Sequence, residues 1–545
     1  MRWLPIGIEN FKELIDKEYY YVDKTLFIKD VIKEKVSLFT RPRRFGKTLN
    51  MSMLYYFFSV REKDNAYLFD KLAISKVPEA LAHQNQYPVI FLSLKDMKRS
   101  NYDMQIEKFG SLIADLVNMN AELLSSTALN DAQKNLLMQY QNGTSSIGNL
   151  MDALLKISMY LQQHYQKKVI LLIDEYDVPL QNAYLNGYYN EMVDFLKNVF
   201  SAALKTNDAL EKGMLTGCLR IAKETIFTGL NNFNVHSIFD KESSSDFGFT
   251  PNETMQLLQK YNLSSYSNIM KEWYDGYMFG DQEIYNPWSV LMYVQKIIQN
   301  DDEPESFWAN TSGNDLVYRY IQQGDDEMKL DFDFLSTGGM IEKTIKSEVT
   351  YREMDDPENI YSFLLFTGYL KTMEKTGNNT YKIMIPNKEI HYIYITIFEE
   401  WFKKQIKNSK AAFFKALIEE DVKQANIILN NVLYQSISYY DYDEKYYHGF
   451  MVGILQGNGI VSSNQESGLG RFDIAILPRS LIERGLVLEL KTSVSLTKLK
   501  QTAEKACEQI RNQQYINGLL SEGYEDIIGY GIAFYKKSCV IAKVE

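Results

Sequence analysis

The stretch Val36 to Met51, VSLFTRPRRFGKTLNM, constrains this chain more than any other. The apolar run Val36 to Phe39 reads as a buried strand. A basic loop follows, then Gly46-Lys47-Thr48, then apolar residues at helical spacing (Leu49, Met51, Met53, Leu54). Strand, loop, GK[ST] and helix are the parts of a phosphate-binding loop, whose backbone N–H groups cradle phosphate oxygens at a helix start. Arg43, Arg44, Phe45 and Gly46 are the expected cradle. Lys47 is placed to reach the β- and γ-phosphates of ATP, and Thr48 to hold Mg²⁺. One departure stands out. The Gly that leads GxxxxGK[ST] is replaced by Arg41, with Pro42 after it, so the loop cannot follow the usual Gly-led turn unchanged. Alone, GKT has a plain alternative as a polar helix cap.

A second stretch answers that alternative. Val169 to Asp177, VILLIDEYD, runs five apolar residues straight into Asp174-Glu175. Such a strand belongs in the middle of a parallel sheet, and ligands bind at its carboxyl end. The pair fits a Walker B element. Asp174 would act on Mg²⁺ through its water shell, and Glu175 would orient or deprotonate the attacking water. Acids at a solvated strand end are the alternative, and the pairing with GKT favours the nucleotide reading. Gly213 to Ile221 (GMLTGCLRI) reads as a further strand. Thr216 and Arg220 on it are accessory candidates for sensing a γ-phosphate, against the commoner strand-end Thr and surface Arg.

A chain of 545 residues should hold two to four domains. Three cysteines (Cys218, Cys507, Cys539) without ligand spacing, and five scattered histidines, argue against a disulfide framework or a Cys/His zinc site. With no secretory signal or membrane-length apolar run, a cytoplasmic protein without membrane contact is expected. The net charge of −11 disfavours nucleic-acid binding over the whole surface but leaves room for a local basic channel.

Three domains are expected: a P-loop ATPase domain over residues 1–280, a linking domain over 281–404, and a third over 405–545. In the first, PVIFLSLKD (Pro88 to Asp96) is a second buried strand, and roughly Gln105 to Leu161 is helical with a break at Asn142-Gly143. Phe227 to Gly248 reads as a loop with little core. In the linking domain, Leu364 to Met373 and Thr380 to Ile385 read as strands flanking the turn Thr376 to Asn379. Helix, strand, turn and strand suit a winged-helix-like module, expected to pack between domains more than to bind DNA.

The second chemical centre lies near the C-terminus. GLGRFDIAI (Gly468 to Ile476) puts Asp473 on a strand, and LVLELK (Leu486 to Lys491) puts Glu489 and Lys491 on one face of the next. A hairpin through Pro478 to Gly485 would set Asp473 beside Glu489. Two carboxylates and a lysine suit phosphodiester hydrolysis: the acids hold Mg²⁺, and Lys491 assists the water or the developing charge. A solvated strand face with a salt bridge is the alternative for ExK alone. The helix expected from Ser495 to Tyr515 carries Lys498, Lys500, Lys505 and Arg511, a phosphate-facing set or a solvated face. Gln509 on it could point back to the acids.

The segments LPIGIENF, YYVDKT, RPRRFGKT, LLIDEYD, TGCLRIAKE, YNPWS, YHGFMVGIL, ESGLGRFDIAI and LELK follow in this order. Together they resemble the bacterial family that joins an AAA-ATPase-like domain to a C-terminal PD-(D/E)xK nuclease-superfamily domain. The resemblance implies an α/β fold with a P-loop NTPase parallel-sheet core, a helical or winged-helix-like middle region and a nuclease-like α/β domain. It implies that Arg41 to Arg44 is a family variant of the Walker A loop. It implies nuclease roles for Asp473, Glu489 and Lys491, with Glu444 as the upstream helical acid and metal ligand and Gln509 as the downstream helical Gln. Phe472 stands where the signature has Pro. The expected function is an ATP-linked, Mg²⁺-dependent nuclease on nucleic acid, DNA ahead of RNA, with a homo-oligomer compatible. The competing reading is a nucleotide-dependent switch that binds nucleic acid or protein without cutting.

Overall fold

The computed structural model describes the chain except residues 1, 206, 221–226, 228–232, 309–325, 349, 437–443, 456–459, 464 and 479. It divides into two compact units, Met1–Ile393 and Tyr394–Glu545. The helix Lys388–Ile418 runs across the division and across the expected boundary at 404/405.

The first unit is built on a parallel five-stranded sheet of β1 (Val36–Thr40), β2 (Val89–Ser93), β3 (Val169–Asp174), β4 (Leu210–Gly217) and β5 (Phe233–His236). The strand order is β2-β3-β4-β1-β5. Every residue of β1 and β3 is buried, including the polar Ser37, Thr40 and Asp174, as expected of central strands in a parallel sheet. Strand β3 has a neighbour on each side. The crossover from β1 to β2 opens with the helix Lys47–Phe58. Because the strands are parallel, the loop after β1 and the acids after β3 emerge at the same sheet edge.

Strand β5 corrects one expectation. Within Phe227 to Gly248, expected to be loop with little core, Phe233–His236 pairs with β1 as the outer strand. Its signal is short, and burial comes from a neighbour: the His236 ring stacks on Phe39 at 4.6 Å. His236 also meets the Glu34 carboxylate at 2.9 Å. Phe247 of the same stretch is fully buried.

Farther along, β6 (Tyr277–Phe279) and β7 (Gln282–Ile284) form a small hairpin. The strands β8 (Ile341–Thr344), β9 (Lys371–Lys375) and β10 (Thr380–Met384) form an antiparallel sheet in the order β8-β10-β9. The expected turn at Thr376 to Asn379 joins β9 to β10, closed by Thr376 N donating to Thr380 O at 2.9 Å. The strand expected from Leu364 starts late. Leu364 to Thr367 end the helix Pro357–Thr367, which Asp356 caps at the front and Gly368, at φ 92°, closes behind.

Glu389 is fully buried in this region. Its Oε1 accepts from Ser289 Oγ at 2.8 Å and from Trp308 N at 2.9 Å. Burial raises its pKa from an ordinary 4.5 to about 7. The folded unit therefore holds this proton where the unfolded chain has lost it. The associated stability is fully present below pH 4.5 and is lost as pH rises through about 7, a fall of about 3 kcal/mol at about 1.4 kcal/mol per unit. Glu389→Gln keeps an acceptor for both donors and carries no proton to lose. Its thermal midpoint, measured against wild type from pH 4.5 to 8, should lack that part of the decline. Parallel curves would show that Glu389 ionises freely.

The second unit holds a sheet of β11 (Ile460–Ser463), β14 (Ile474–Leu477), β15 (Arg484–Thr492), β16 (Asp526–Tyr535) and β17 (Ser538–Lys543), in that order. Only β15 and β16 are parallel. A short hairpin of β12 (Glu466–Ser467) and β13 (Gly470–Arg471) precedes β14. The helix Leu499–Asn512 buries Ala503, Ala506, Cys507 and Ile510 and exposes Lys500, Lys505 and Arg511. The small residues on its inner face let it lie close to Gly531 of β16, where an added Cβ would come within 2.4 Å of Ala503 O.

Candidate functional site

At the edge of the first sheet, Gly46 takes φ 83° and turns the loop into the helix Lys47–Phe58. Lys47 Nζ donates to Arg41 O at 3.0 Å and Pro42 O at 2.9 Å, so the ammonium is folded under its own loop. Thr48 Oγ1 donates to Asp174 Oδ2 at 2.7 Å, which brings together the two residues expected to hold a metal. Thr216, at the end of β4, donates to the other oxygen of the same carboxylate. Burial is the main reason the Asp174 pKa is raised, while the Thr216 and Thr48 hydroxyls favour the charged form. Glu175 follows at φ 54°, a left-handed conformation that turns the chain sharply away from the strand, and it lines the same cavity as the loop.

The loop is held from below by the residue that replaces the leading Gly. Arg41 is fully buried, and burial pulls its pKa down to about 10. Its guanidinium donates to His236 O at 2.8 Å and Ser243 O at 3.0 Å, and lies 5.2 Å from the ring centres of both Phe247 and Phe279. Arg41 thus bolts the loop to β5 and the segment after it. Arg43 donates to Gln181 Oε1 at 2.7 Å, and Arg44 lies 4.4 Å over the Trp288 ring. Phe45 packs between Tyr277 and Phe279, with ring centres 5.0 and 5.2 Å away. Gly368 meets the loop from the other side, where an added Cβ would lie 3.1 Å from Pro42 Cβ. Arg220 pairs with Glu348 at 2.7 Å.

Asp177 was not singled out from the sequence. Its buried carboxylate accepts from Cys218 N at 2.8 Å and Leu219 N at 3.0 Å, which pins the turn after β3 to the end of β4. The signal was there in LLIDEYD, where a third acid follows the pair.

In the second unit, β14 and β15 pair antiparallel with Ile474 opposite Leu488, so the hairpin brings Asp473 alongside Glu489 as the spacing predicts. Leu490 N donates to Asp473 Oδ2 at 2.8 Å. Glu489 is only 3% exposed. Lys491 Nζ lies 3.7 Å from Glu489 Oε1 and donates to Gln509 Oε1 at 2.6 Å. Four of the expected residues therefore converge. Glu444 opens the helix Glu444–Leu455, and its side chain lies outside the described residues. One turn on, His448 Nε2 bonds Asp473 O at 3.1 Å, and Tyr515 OH donates to Arg471 O at 2.7 Å. These two contacts, which the sequence reading did not pick out, hold both ends of the segment carrying Asp473.

Comparison with known proteins agrees with both geometries. Residues 5–227 match the family model described as a predicted AAA-ATPase, and residues 442–544 match the PD-(D/E)XK nuclease superfamily. The chain thus joins an AAA-ATPase-like domain to a C-terminal PD-(D/E)XK nuclease-superfamily domain. Over 298 residues it is 27% identical to an uncharacterized protein in the vnfD 5' region of Azotobacter chroococcum mcd 1, covering 54% of this chain. The match spans about half the length of that relative, 52%. Among the described residues, no helix is long and apolar enough to cross a membrane.

Proposed function

We propose that this chain is an ATP-linked, Mg²⁺-dependent nuclease acting on DNA, in which the P-loop domain gates or moves the nuclease domain. The observation that carries the reading is the convergence of Asp473, Glu489, Lys491 and Gln509 on one sheet edge. A packed strand has no structural need for a lysine held between a buried acid and a glutamine.

The donor set fits a hard divalent cation, since two carboxylates offer oxygen ligands and Lys491 sits to one side without displacing them. Asp473 and Glu489 would hold it, with Glu444 as a third acid. When bound, the cation polarises the phosphodiester and acidifies a water. Asp473 is aimed by the Leu490 N–H. Gln509 fixes the Lys491 ammonium, which can donate to a phosphate oxygen as negative charge develops. In the first unit, Lys47 would exchange its loop carbonyls for phosphate oxygens, and Thr48 and Asp174 would share the nucleotide's Mg²⁺. Glu175 would orient the attacking water.

The test uses the full chain with supercoiled plasmid, linear duplex, single-stranded DNA and RNA. Cleavage is expected with Mg²⁺ or Mn²⁺ and not in chelator. Ca²⁺ should support binding with little cutting, because its looser coordination positions the water poorly. ATP should change the rate. If no substrate is cut with any metal, with or without ATP, the non-cutting switch becomes the better reading.

A further inference from the structure

Three side chains from separate segments meet at the outer edge of the first sheet. Glu34 stands just before β1, His236 closes β5, and Glu242 lies in the segment that follows β5. One carboxylate oxygen of each glutamate and one ring nitrogen of His236 all lie within 4.8 Å of one another. His236 Nε2 faces both Glu34 oxygens, at 3.1 and 2.9 Å. The His236 and Glu34 side chains are 9% and 16% exposed, and Glu242 is open to solvent. The cluster lies away from the acids after β3, since β4 and β1 stand between β3 and β5.

The two inner members are held in the way metal ligands are held. Phe39 stacks on the imidazole, with ring planes 11° apart. Ser37 Oγ donates to Glu34 Oε2 at 2.7 Å. Such outer contacts fix the direction in which a ligand points. The neighbouring cations do not balance the two carboxylates, because each is engaged elsewhere. Lys33 pairs with Asp30 at 2.8 Å, and Lys241 pairs with Asp281 at 3.0 Å. Lys212 Nζ donates to the main-chain carbonyls of Ile32 and Glu34. Among the described residues, His236 is the group that forms an ion pair with Glu34, and no lysine or arginine pairs with Glu242.

We propose that Glu34, His236 and Glu242 bind a divalent transition cation of the zinc class. An imidazole nitrogen beside two carboxylate oxygens is a mixed donor set that suits zinc, whereas magnesium and calcium prefer oxygen alone. Zinc–ligand bonds of about 2.0–2.2 Å put tetrahedral ligand atoms about 3.4 Å apart. His236 and Glu34 stand near that separation already, and the exposed Glu242 side chain is free to swing in. Water completes the set. An ordinary His236–Glu34 ion pair has no use for a third acid, so Glu242 separates the two roles. The cation has a structural consequence for the loop. Arg41, which replaces the leading Gly, donates to His236 O and Ser243 O. His236 is itself a ligand, and Ser243 is next in the chain to Glu242. The cation therefore ties the lead-in of β1 to the segment after β5 and fixes both carbonyls that seat Arg41.

Zinc titration of the full chain tests this, with excess Mg²⁺ present to fill sites made of oxygen alone. Bound zinc per chain is measured after gel filtration, and affinity by calorimetry. Glu242→Gln and, independently, Glu34→Gln should weaken one zinc equivalent about tenfold or more. The same equivalent should be lost when Glu242→Gln is placed in the Asp473→Asn chain, which makes the loss independent of the nuclease centre. Co²⁺ in place of zinc should give visible d–d bands that Glu242→Gln removes. Zinc should raise the thermal midpoint of wild type and leave that of Glu242→Gln unmoved. Without zinc the two should melt together, because the Glu242 side chain is exposed. Should Glu34→Gln fail to fold, Glu242→Gln decides alone. Equal zinc content and affinity in wild type and Glu242→Gln overturn the site and leave His236 and Glu34 as an ion pair. A wild type that takes up no zinc, or whose midpoint zinc does not move, also overturns it.

Discussion

Asp473→Asn should reduce DNA cleavage by about a hundredfold to a thousandfold and leave ATP turnover at the wild-type rate. Asn is the sharper substitution. Asp473 Oδ2 accepts from Leu490 N inside the sheet, and the Asn carbonyl can keep that bond while the negative charge is lost. Asp473→Ala should also abolish cleavage. It additionally strands a strand N–H, at a cost of about 1–3 kcal/mol in stability, so its thermal midpoint should fall where that of Asp473→Asn does not. Lys491→Ala should stop cleavage too. It frees Gln509 Oε1 from its 2.6 Å partner on a partly solvated edge, where water can replace the ammonium, so the fold should survive. Plasmid cleavage, ATPase rate and thermal melt, measured on the same preparations, check all three. Cleavage at the wild-type rate in Asp473→Asn and Asp473→Ala would sink the assignment of this site.

The second large effect belongs to the loop. Lys47→Ala should lower ATP affinity by about a hundredfold or more, since an ammonium is the strongest partner available to the β- and γ-phosphates. Glu175→Gln should bind ATP normally and lose turnover. The neutral amide preserves size and leaves the left-handed turn at residue 175 no harder to form, but it cannot take a proton from water. The two variants separate binding from chemistry. Calorimetry gives the affinities, and phosphate release gives the rates. Equal ATP affinity in wild type and Lys47→Ala would mean that phosphates do not sit at this loop.

What the sequence disclosed and what it hid divide along physical lines. Strand β3 was legible because five buried apolar residues in a row have few other places to go. Asp473, Glu489 and Lys491 were legible because strand alternation fixes which side chains share a face. The hairpin length between β14 and β15 did the rest. Strand β5 was hidden because a four-residue edge strand takes its burial from Phe39 and Arg41, distant in sequence, and not from its own pattern. The helix end at Thr367 was hidden behind apolar residues that suit helix and strand alike, and only Gly368 marked the stop. Arg41 was visible as a departure. That its charge faces inward, against three carbonyls and two rings, depends on contacts no local pattern records. The contacts of His448 and Tyr515 with the segment around Asp473 were missed for the same reason, as both act on backbone carbonyls.

The phosphate-binding loop is sandwiched. Beneath it are β1 and β5, and over it lie Tyr277, Phe279, Trp288 and Gly368. The residues expected to meet the nucleotide's phosphates all fall before position 221, yet the loop's outer cover comes from the next 150 or so, about a domain's length again. The minimal heritable unit is therefore longer than the motif-bearing part. A gene fragment that carried Val36 to Arg220 alone would keep the GKT loop and Asp174 and leave Pro42, Phe45 and the Arg44 side chain without the cover that Gly368, Tyr277, Phe279 and Trp288 supply. Recombination that swaps the distal half of this unit for another would have to supply a new lid of matching shape, which ties the histories of the two halves together.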